Sequence, residues 1–285
     1  MKTNSLPPPT RIGLLSDMYP PKPTWTTGDV PDLKGKVMIV TGGNTGLGKE
    51  TCRVLLIHGA KVYLAARSER KANDAIQELE EKTGKTAIFL RLDLADLPSI
   101  RKTAEEFMSK EKHLHVLFNN AGVMVPPIEV LTAQGYDAQF GTNVLGPFFF
   151  TNLLFPVLLS TAKGENGGTP CKGNILIANE LAQRYGDQGI VSISLHPGGV
   201  KTDLQRHVSG SIFKWILAKL IDLVLYDVSL GALTQLYAGT SEEAENMNGE
   251  YLTAWARRQV PNKHATDPEL MAKLWKWCEE QVKDF

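Results

Sequence analysis

The stretch from Val37 to His58 constrains this chain most: a β-rich apolar run, Val37 to Val40, passes through Thr41-Gly42-Gly43-Asn44-Thr45-Gly46-Leu47-Gly48 into the helical pattern Glu50 to His58. A strand that must turn at once into a helix needs positions without a Cβ. The same positions let the backbone approach a pyrophosphate, whose charge meets the N–H groups and dipole of the helix start. A plain tight turn also uses glycines, so the cluster gains its meaning from lying between a strand and a helix.

The alternation continues. Val62 to Ala66 reads as a strand and Lys71 to Glu81 as a helix, with Ser68 as its cap and Ala72, Ala75, Ile76 and Leu79 as its inward stripe. Ala87 to Leu92, Ile100 to Met108 and Val116 to Phe118 add strand, helix and strand. This is the βαβ signature of a Rossmann-type doubly wound α/β fold with a parallel sheet. Beyond Asn143 the apolar stretch Leu145 to Leu159 is interrupted by Pro147, Thr151, Asn152 and Pro156. It falls short of a clean membrane span and reads as a buried helix. Helices are expected at 175–184 and 230–237, and a strand at 191–195. Thr266, Pro268 and Glu269 resemble a capping box opening a final helix, whose face Leu270, Leu274, Trp277 and Cys278 should dock. Residues 33–285 read as one domain behind an irregular arm, 1–32, punctuated by Pro7, Pro8, Pro9, Pro20, Pro21 and Pro23.

Composition narrows the partners. Lys plus Arg equals Asp plus Glu at 31 each, so no global field would draw the chain to nucleic acid or to an anionic membrane. A small molecule fits better. The three cysteines, Cys52, Cys171 and Cys278, are odd in number and widely spaced, which suggests neither disulfides nor a metal site and favours a reducing compartment. A cytoplasmic location is expected, with a peripheral position at a membrane surface and a homo-oligomeric state both left open.

The spacing of Gly42, Gly46 and Gly48 resembles the TGxxxGxG motif of short-chain dehydrogenases/reductases, and further marks of that family follow in order. Asn119-Asn120-Ala121-Gly122 is similar to its NNAG motif, and Asp93 stands where the family contacts adenine. Asn143 matches its structural and proton-relay asparagine. Pro197-Gly198-Gly199-Val200-Lys201-Thr202 resembles the stretch around the nicotinamide end. The resemblance spans about residues 33 to 260. It implies a nicotinamide dinucleotide cofactor held by Gly42, Asn44, Thr45, Gly46, Leu47, Gly48, Asp93, Asn120, Ala121, Gly122, Pro197, Gly198, Val200 and Thr202. NAD-preferring members carry an acidic residue at the end of the second strand, where this chain reads Ala65-Ala66-Arg67-Ser68. Arg67 and Lys71 could instead pair with a 2′-phosphate, so NADP is expected over NAD, and Arg70 reads as a solvated helix start.

The resemblance also implies hydride transfer between an alcohol and a carbonyl, aided by a serine and by a Tyr-x-x-x-Lys pair. None of Tyr19, Tyr63, Tyr136, Tyr185, Tyr226, Tyr237 and Tyr251 has a lysine four residues later. The family would place a fifth strand, the serine, the tyrosine and the lysine between Ala162 and Asn174, where this chain passes directly from Lys163 to Lys172. Tens of residues are absent there relative to the family pattern, and Lys172 is only a weak candidate because it abuts Gly173. Gly164, Gly167, Gly168 and Pro170 predict a fifth strand that is missing or replaced by an irregular segment. An apolar segment at about 203–228, including Phe213, Trp215 and Leu220, lies where the family places its substrate lid, and reads equally as a dimer contact, core or a membrane-surface helix. With the proline-rich arm, it points to the retinol-dehydrogenase-like branch and to a small hydrophobic substrate. The expectation is thus an NADP-dependent oxidoreductase. The alternative is a catalytically impaired dinucleotide-binding pseudoenzyme, or a truncated splice or gene-model product.

Overall fold

The first strand, β1 (Val37–Thr41), is buried at every residue and pairs in parallel on both sides, with β2 (Lys61–Ala66) and with β4 (Val116–Phe118). β3 (Ile88–Arg91) adds beyond β2 and β5 (Thr169–Cys171) beyond β4, which makes a five-stranded sheet of order β3-β2-β1-β4-β5. The computed structural model describes residues 9, 16, 19–163, 169–171, 175–201 and 225–285.

Alternation along β1 shows why the sheet needs cover on both faces. Met38 and Val40 join one core with Val62 and Leu64, whereas Val37 and Ile39 join the other with Tyr63 and Ala65. The first core receives α1 (Gly46–Ile57), α2 (Glu69–Thr83) and α6 (Val228–Thr240). The second receives α3 (Leu97–Lys110), the helical stretch α4 (Ala138–Lys163), α5 (Ile175–Tyr185) and α7 (Pro268–Val282). This is the expected doubly wound arrangement.

The expectation for the fifth strand needs correction. Thr169, Pro170 and Cys171 do form a strand, in register with Val116, Leu117 and Phe118. Parallel pairing recruits main chain only, and β5 is the last strand of its sheet, the position where a proline without an N–H is tolerated. The strand expected at 191–195 contracts to β6 (Ser194–Leu195), and it joins a different sheet. It pairs with β7 (Tyr251–Thr253), which pairs with β8 (Arg257–Gln259), to give a second sheet of order β6-β7-β8.

Two helices test the expectation further. The apolar run is a helix through both prolines and is buried as expected, although the whole helical stretch Ala138–Lys163 is long and apolar enough, by length and composition alone, to cross a membrane. Of its most apolar window 67% is buried within the fold, where Phe148, Phe150, Leu154 and Leu158 fill the second core, so it is a core helix here. In α7 the cap is Asp267, whose carboxylate accepts from the N–H groups of Glu269 and Leu270, while Thr266 closes the preceding turn. The docked stripe is Met271, Trp275, Cys278 and Val282, with Leu270 and Trp277 exposed. Of the predicted face only Cys278 is fully buried. Shifting by one residue rotates a helix by about 100°, and the stripe is set by Trp275, whose ring meets Phe148 at 4.9 Å.

Candidate functional site

At the C-terminal end of β1, Thr41 ties the first strand to the fourth. Its hydroxyl donates to the Phe118 carbonyl (3.2 Å) and accepts from the Ala121 N–H (2.9 Å), while Asn120 Nδ2 donates to the Thr41 carbonyl (2.9 Å). The following glycines are needed where they stand. Gly42 has φ +66°, and a Cβ on it would meet Ala121 Cα at 3.0 Å. A Cβ on Gly43 would meet Leu64 and Cys52, and one on Gly48 would drive into the Gly42 carbonyl and Asn120. The turn and the NNAG-like segment are therefore packed backbone against backbone.

Helix α1 begins inside the glycine cluster rather than at Glu50. Its first intrahelical bond runs from the Lys49 N–H to the Thr45 carbonyl (3.2 Å), so the N–H groups of Gly46, Leu47 and Gly48 have no acceptor within the helix. These donors, the helix dipole and the absent Cβ at Gly48 fit a pyrophosphate. Asn44 and Thr45 complete the turn. Behind it, Gln235 on α6 donates to the Thr51 hydroxyl and to the Leu47 carbonyl.

Ser68 caps α2 as expected, accepting from the Lys71 N–H at 3.5 Å. Arg67 and Lys71 are exposed, and neither makes an ion pair among the described residues, while Arg70 pairs with Asp74 at 3.6 Å. The end of β2 thus offers guanidinium and ammonium but no carboxylate from Ala65 to Ser68. Asp93 follows β3, half-buried, with its Oδ1 accepting from the Ala95 N–H.

Asn143 lies in a π-helical turn, Gly141–Leu145, at the head of the long part of α4. Its side chain grips one residue: Oδ1 accepts from the Val123 N–H and Nδ2 donates to the Val123 carbonyl, both at 2.8 Å. A Cβ on Gly122 would meet Asn143 Oδ1 at 3.2 Å. Gly198 (φ +81°) follows Pro197, and a Cβ there would meet that of Ala254 at 2.8 Å. Val200 pairs with Tyr226 and packs with Leu47 over Gly231, which joins this stretch to the start of α1.

Lys172, Thr202 and residues 203–224 of the expected lid lie outside the described residues. Tyr185 stacks on Phe155 at 4.4 Å, and the Tyr136 hydroxyl donates to Gln281 at 2.8 Å, so both work in packing. Thr41 stands within the glycine motif, but its bonds to β4 are visible only in the fold. The parts of Val123, Gln235 and Gly231 depend on contacts far apart in sequence and carry no local signal.

Residues 36–167 match the family model for short chain dehydrogenases, so the match stops inside the Lys163 to Lys172 passage. A short-chain dehydrogenase/reductase of Armillaria gallica is 53% identical, covering 95% of this chain and 98% of that protein. Mouse retinol dehydrogenase 11 is 38% identical over 85% of each chain. A solved structure from Mycobacterium paratuberculosis superposes with a TM-score of 0.68 at 26% identity, covering 91% of this chain and 97% of the other. The Armillaria alignment spans 308 positions but uses about 271 of the 285 residues here, so about 37 positions face no residue of this chain. The mouse alignment, 278 positions with about 242 residues, leaves about 36. The chain belongs to the short-chain dehydrogenase/reductase family, on its retinol-dehydrogenase-like side.

Proposed function

We propose that this chain binds NADP(H) along the C-terminal edge of its five-stranded sheet, and that as it stands it is a poor catalyst of hydride transfer between a hydrophobic alcohol and its carbonyl. The cofactor preference rests on Arg67 at the end of β2, exposed and without an ion pair among the described residues, in a stretch, Ala65 to Ser68, that carries no carboxylate. Gly42, Asn44, Thr45, Gly46, Leu47 and Gly48 would hold the pyrophosphate, and Arg67 and Lys71 the 2′-phosphate. Asp93, Asn120, Ala121 and Gly122 would hold the adenosine side, and Pro197, Gly198, Val200 and Thr202 the nicotinamide end. A bound nicotinamide supplies or accepts the hydride. Asn143 fixes the loop that borders the reacting end by holding both main-chain groups of Val123.

The impairment rests on the sequence. No tyrosine has a lysine four residues on, and the 36 or 37 unmatched alignment positions agree with one excised stretch between Ala162 and Asn174. Positioned acid–base help is worth about 10² to 10⁴ in rate. Residues 33–285 act as one dinucleotide-binding unit behind the 1–32 arm. The free, buried Cys52 and Cys278 support a reducing, cytoplasmic setting, and the balanced charge supports a small hydrophobic substrate.

Titration of the purified chain with NADPH and NADH, followed by cofactor fluorescence, should show NADPH bound at least about tenfold more tightly, as charge-assisted phosphate contacts require. Equal affinities would remove the NADP assignment. Turnover of a hydrophobic aldehyde at a rate ordinary for dehydrogenases would remove the impairment. The unmatched positions favour one further reading, a complete NADP-dependent enzyme whose message lost an exon. A longer transcript encoding Ser and Tyr-x-x-x-Lys at this junction would establish it.

A further inference from the structure

Helix α6 meets the start of α1 with a glycine and an amide. Gly231 and Gln235 stand four residues apart, on one face of the helix. A Cβ on Gly231 would enter Val200 at 2.5 Å and Leu47 at 2.7 Å, so α6 lies against the first turn of α1 and the 197–202 stretch at once. One turn on, Gln235 is fully buried, and its Nε2 donates twice into α1: to the Thr51 hydroxyl, and to the Leu47 carbonyl at 3.4 Å. Thr51 is equally buried and donates its own hydroxyl to that carbonyl at 2.8 Å. The Leu47 oxygen therefore gathers two side-chain donors in addition to the main-chain N–H that a helix supplies.

The other end of the amide is unserved: Gln235 Oε1 is buried without a hydrogen-bond partner among the described residues. A buried acceptor left unpaired costs about as much as the amide's own bonds return, so an apolar side chain of the same length would fasten the two helices as well. What the amide adds is a donor to the Leu47 carbonyl. That carbonyl shares a peptide group with the Gly48 N–H, one of the three at the head of α1 that have no acceptor within the helix. A trans peptide is planar with C=O and N–H opposed, so fixing the direction of one fixes the other. Donors on the oxygen also polarise the group and make its N–H a stronger donor.

We infer that Gln235, with Thr51 beside it, is a positioning residue for the cofactor's pyrophosphate: it holds and polarises the Leu47–Gly48 peptide, so that the Gly48 N–H is aimed and strengthened for an anion at the head of α1. The inference rests on the dinucleotide reading above. It gives a residue of α6, nearly two hundred positions further along the chain, a part in cofactor affinity that it plays through main chain.

The test reads binding on the full chain, because turnover is expected to be low. Gln235→Met keeps the side chain's length and removes the donors together with the orphan oxygen, so the unfolding midpoint should change little. It should weaken NADPH and NADH alike, by about two- to fivefold, and leave adenosine 2′-monophosphate, which has no pyrophosphate, bound as before. In Gln235→Glu the buried carboxyl can donate only while protonated, so NADPH affinity relative to the wild type should fall from pH 6 to pH 8, whereas the Gln235→Met ratio stays level. In the free protein, glycine-selective ¹⁵N labelling should show the Gly48 amide resonance moved upfield by Gln235→Met, with those of Gly84 and Gly135 in place. If Gln235→Met does not fold, Thr51→Val removes the 2.8 Å donor and carries the same expectations. A lowered midpoint with unchanged cofactor affinities and an unmoved Gly48 resonance makes Gln235 a packing residue and overturns the inference. A loss that extends equally to adenosine 2′-monophosphate overturns it as well, in favour of a general distortion of the site. Failure of the wild type to bind either dinucleotide would strike the cofactor reading, and the Gly48 resonance would still decide whether Gln235 acts on that peptide.

Discussion

The glycine-rich half and the half beyond Lys163 are built to different standards. In the first, β1 is buried throughout and paired on both sides, and the polar groups that define the site have partners: Thr41 with Phe118 and Ala121, Asn120 with Thr41, Asn143 with Val123. In the second, three main-chain pairs join β5 to β4, and two-residue β6 lies in another sheet. Both halves hold buried acceptors without a hydrogen-bond partner among the described residues: Asn119 Oδ1 and Asn152 Oδ1 in the first, Asn179 Oδ1 and Gln235 Oε1 in the second. Such acceptors are costly. A turn built from main chain and glycines depends little on the side chains of a neighbouring stretch, whereas acid–base chemistry depends on particular side chains.

That contrast breaks most sharply if the weaker half is repaired. Inserting between Ala162 and Asn174 a stretch that supplies a serine and a Tyr-x-x-x-Lys pair should raise aldehyde turnover by about 10² to 10⁴, read as NADPH consumption, and should raise the unfolding midpoint. A higher midpoint with no gain in turnover would mean that the loss is not confined to this junction. Next in size is damage to the stronger half. Gly48→Val, whose side chain would enter the Gly42 carbonyl, should weaken NADPH more than about tenfold and cost about 1 to 3 kcal/mol in denaturant unfolding. Unaltered NADPH affinity in that variant would move the cradle elsewhere.

Arg67→Ala should weaken NADPH about tenfold, leave NADH unchanged and leave stability unchanged, since Arg67 is exposed and makes no ion pair among the described residues. A parallel loss for both cofactors would assign Arg67 to the shared part of the dinucleotide. The smallest effect concerns acid. Burial, with Lys36 and His113 nearby, holds His115 down at about 4 against the ordinary 6.5, and its neutral ring accepts the Val37 N–H at 2.9 Å. A depressed pKa means that the folded state disfavours the proton. This stability is therefore complete above pH 6.5 and is lost as pH falls toward 4. The ring is half-buried, so solvent screening limits the change to about 1 kcal/mol. His115→Gln should flatten that loss in unfolding curves at the two pH values, and an unchanged slope would place the acid-sensitive group outside this strand edge.

Legibility in the sequence followed the range of the interactions. Ser68 as a cap, the four strands up to Phe118 and the glycine turn were readable because each depends on neighbours within a few residues. The terminal helix was readable as a helix, but its buried face was not. Leu270 and Trp277 have the hydrophobicity of core residues, and only the packing of the folded chain buries Met271 and Trp275 instead, Trp275 against Phe148 of α4. The fifth strand is not legible in the sequence because glycine and proline content measures a segment's own preference, whereas the main chain of β4 offers pairing to whatever lies beside it.

The sequence by itself determined the alternating βα architecture, the main-chain cradle around Gly42 and Gly48, Arg67 in place of an acid, and the absence of a Tyr-x-x-x-Lys pair. These follow from residue type and short spacing, which no later packing can alter. Only the tertiary structure decided that Thr169–Cys171 completes the five-stranded sheet while β6 joins another, that Asn143 clamps Val123, and that Gln235 reaches the Leu47 carbonyl. Each of these depends on which distant segments come to lie side by side, and that is settled by burying both faces of one sheet at once.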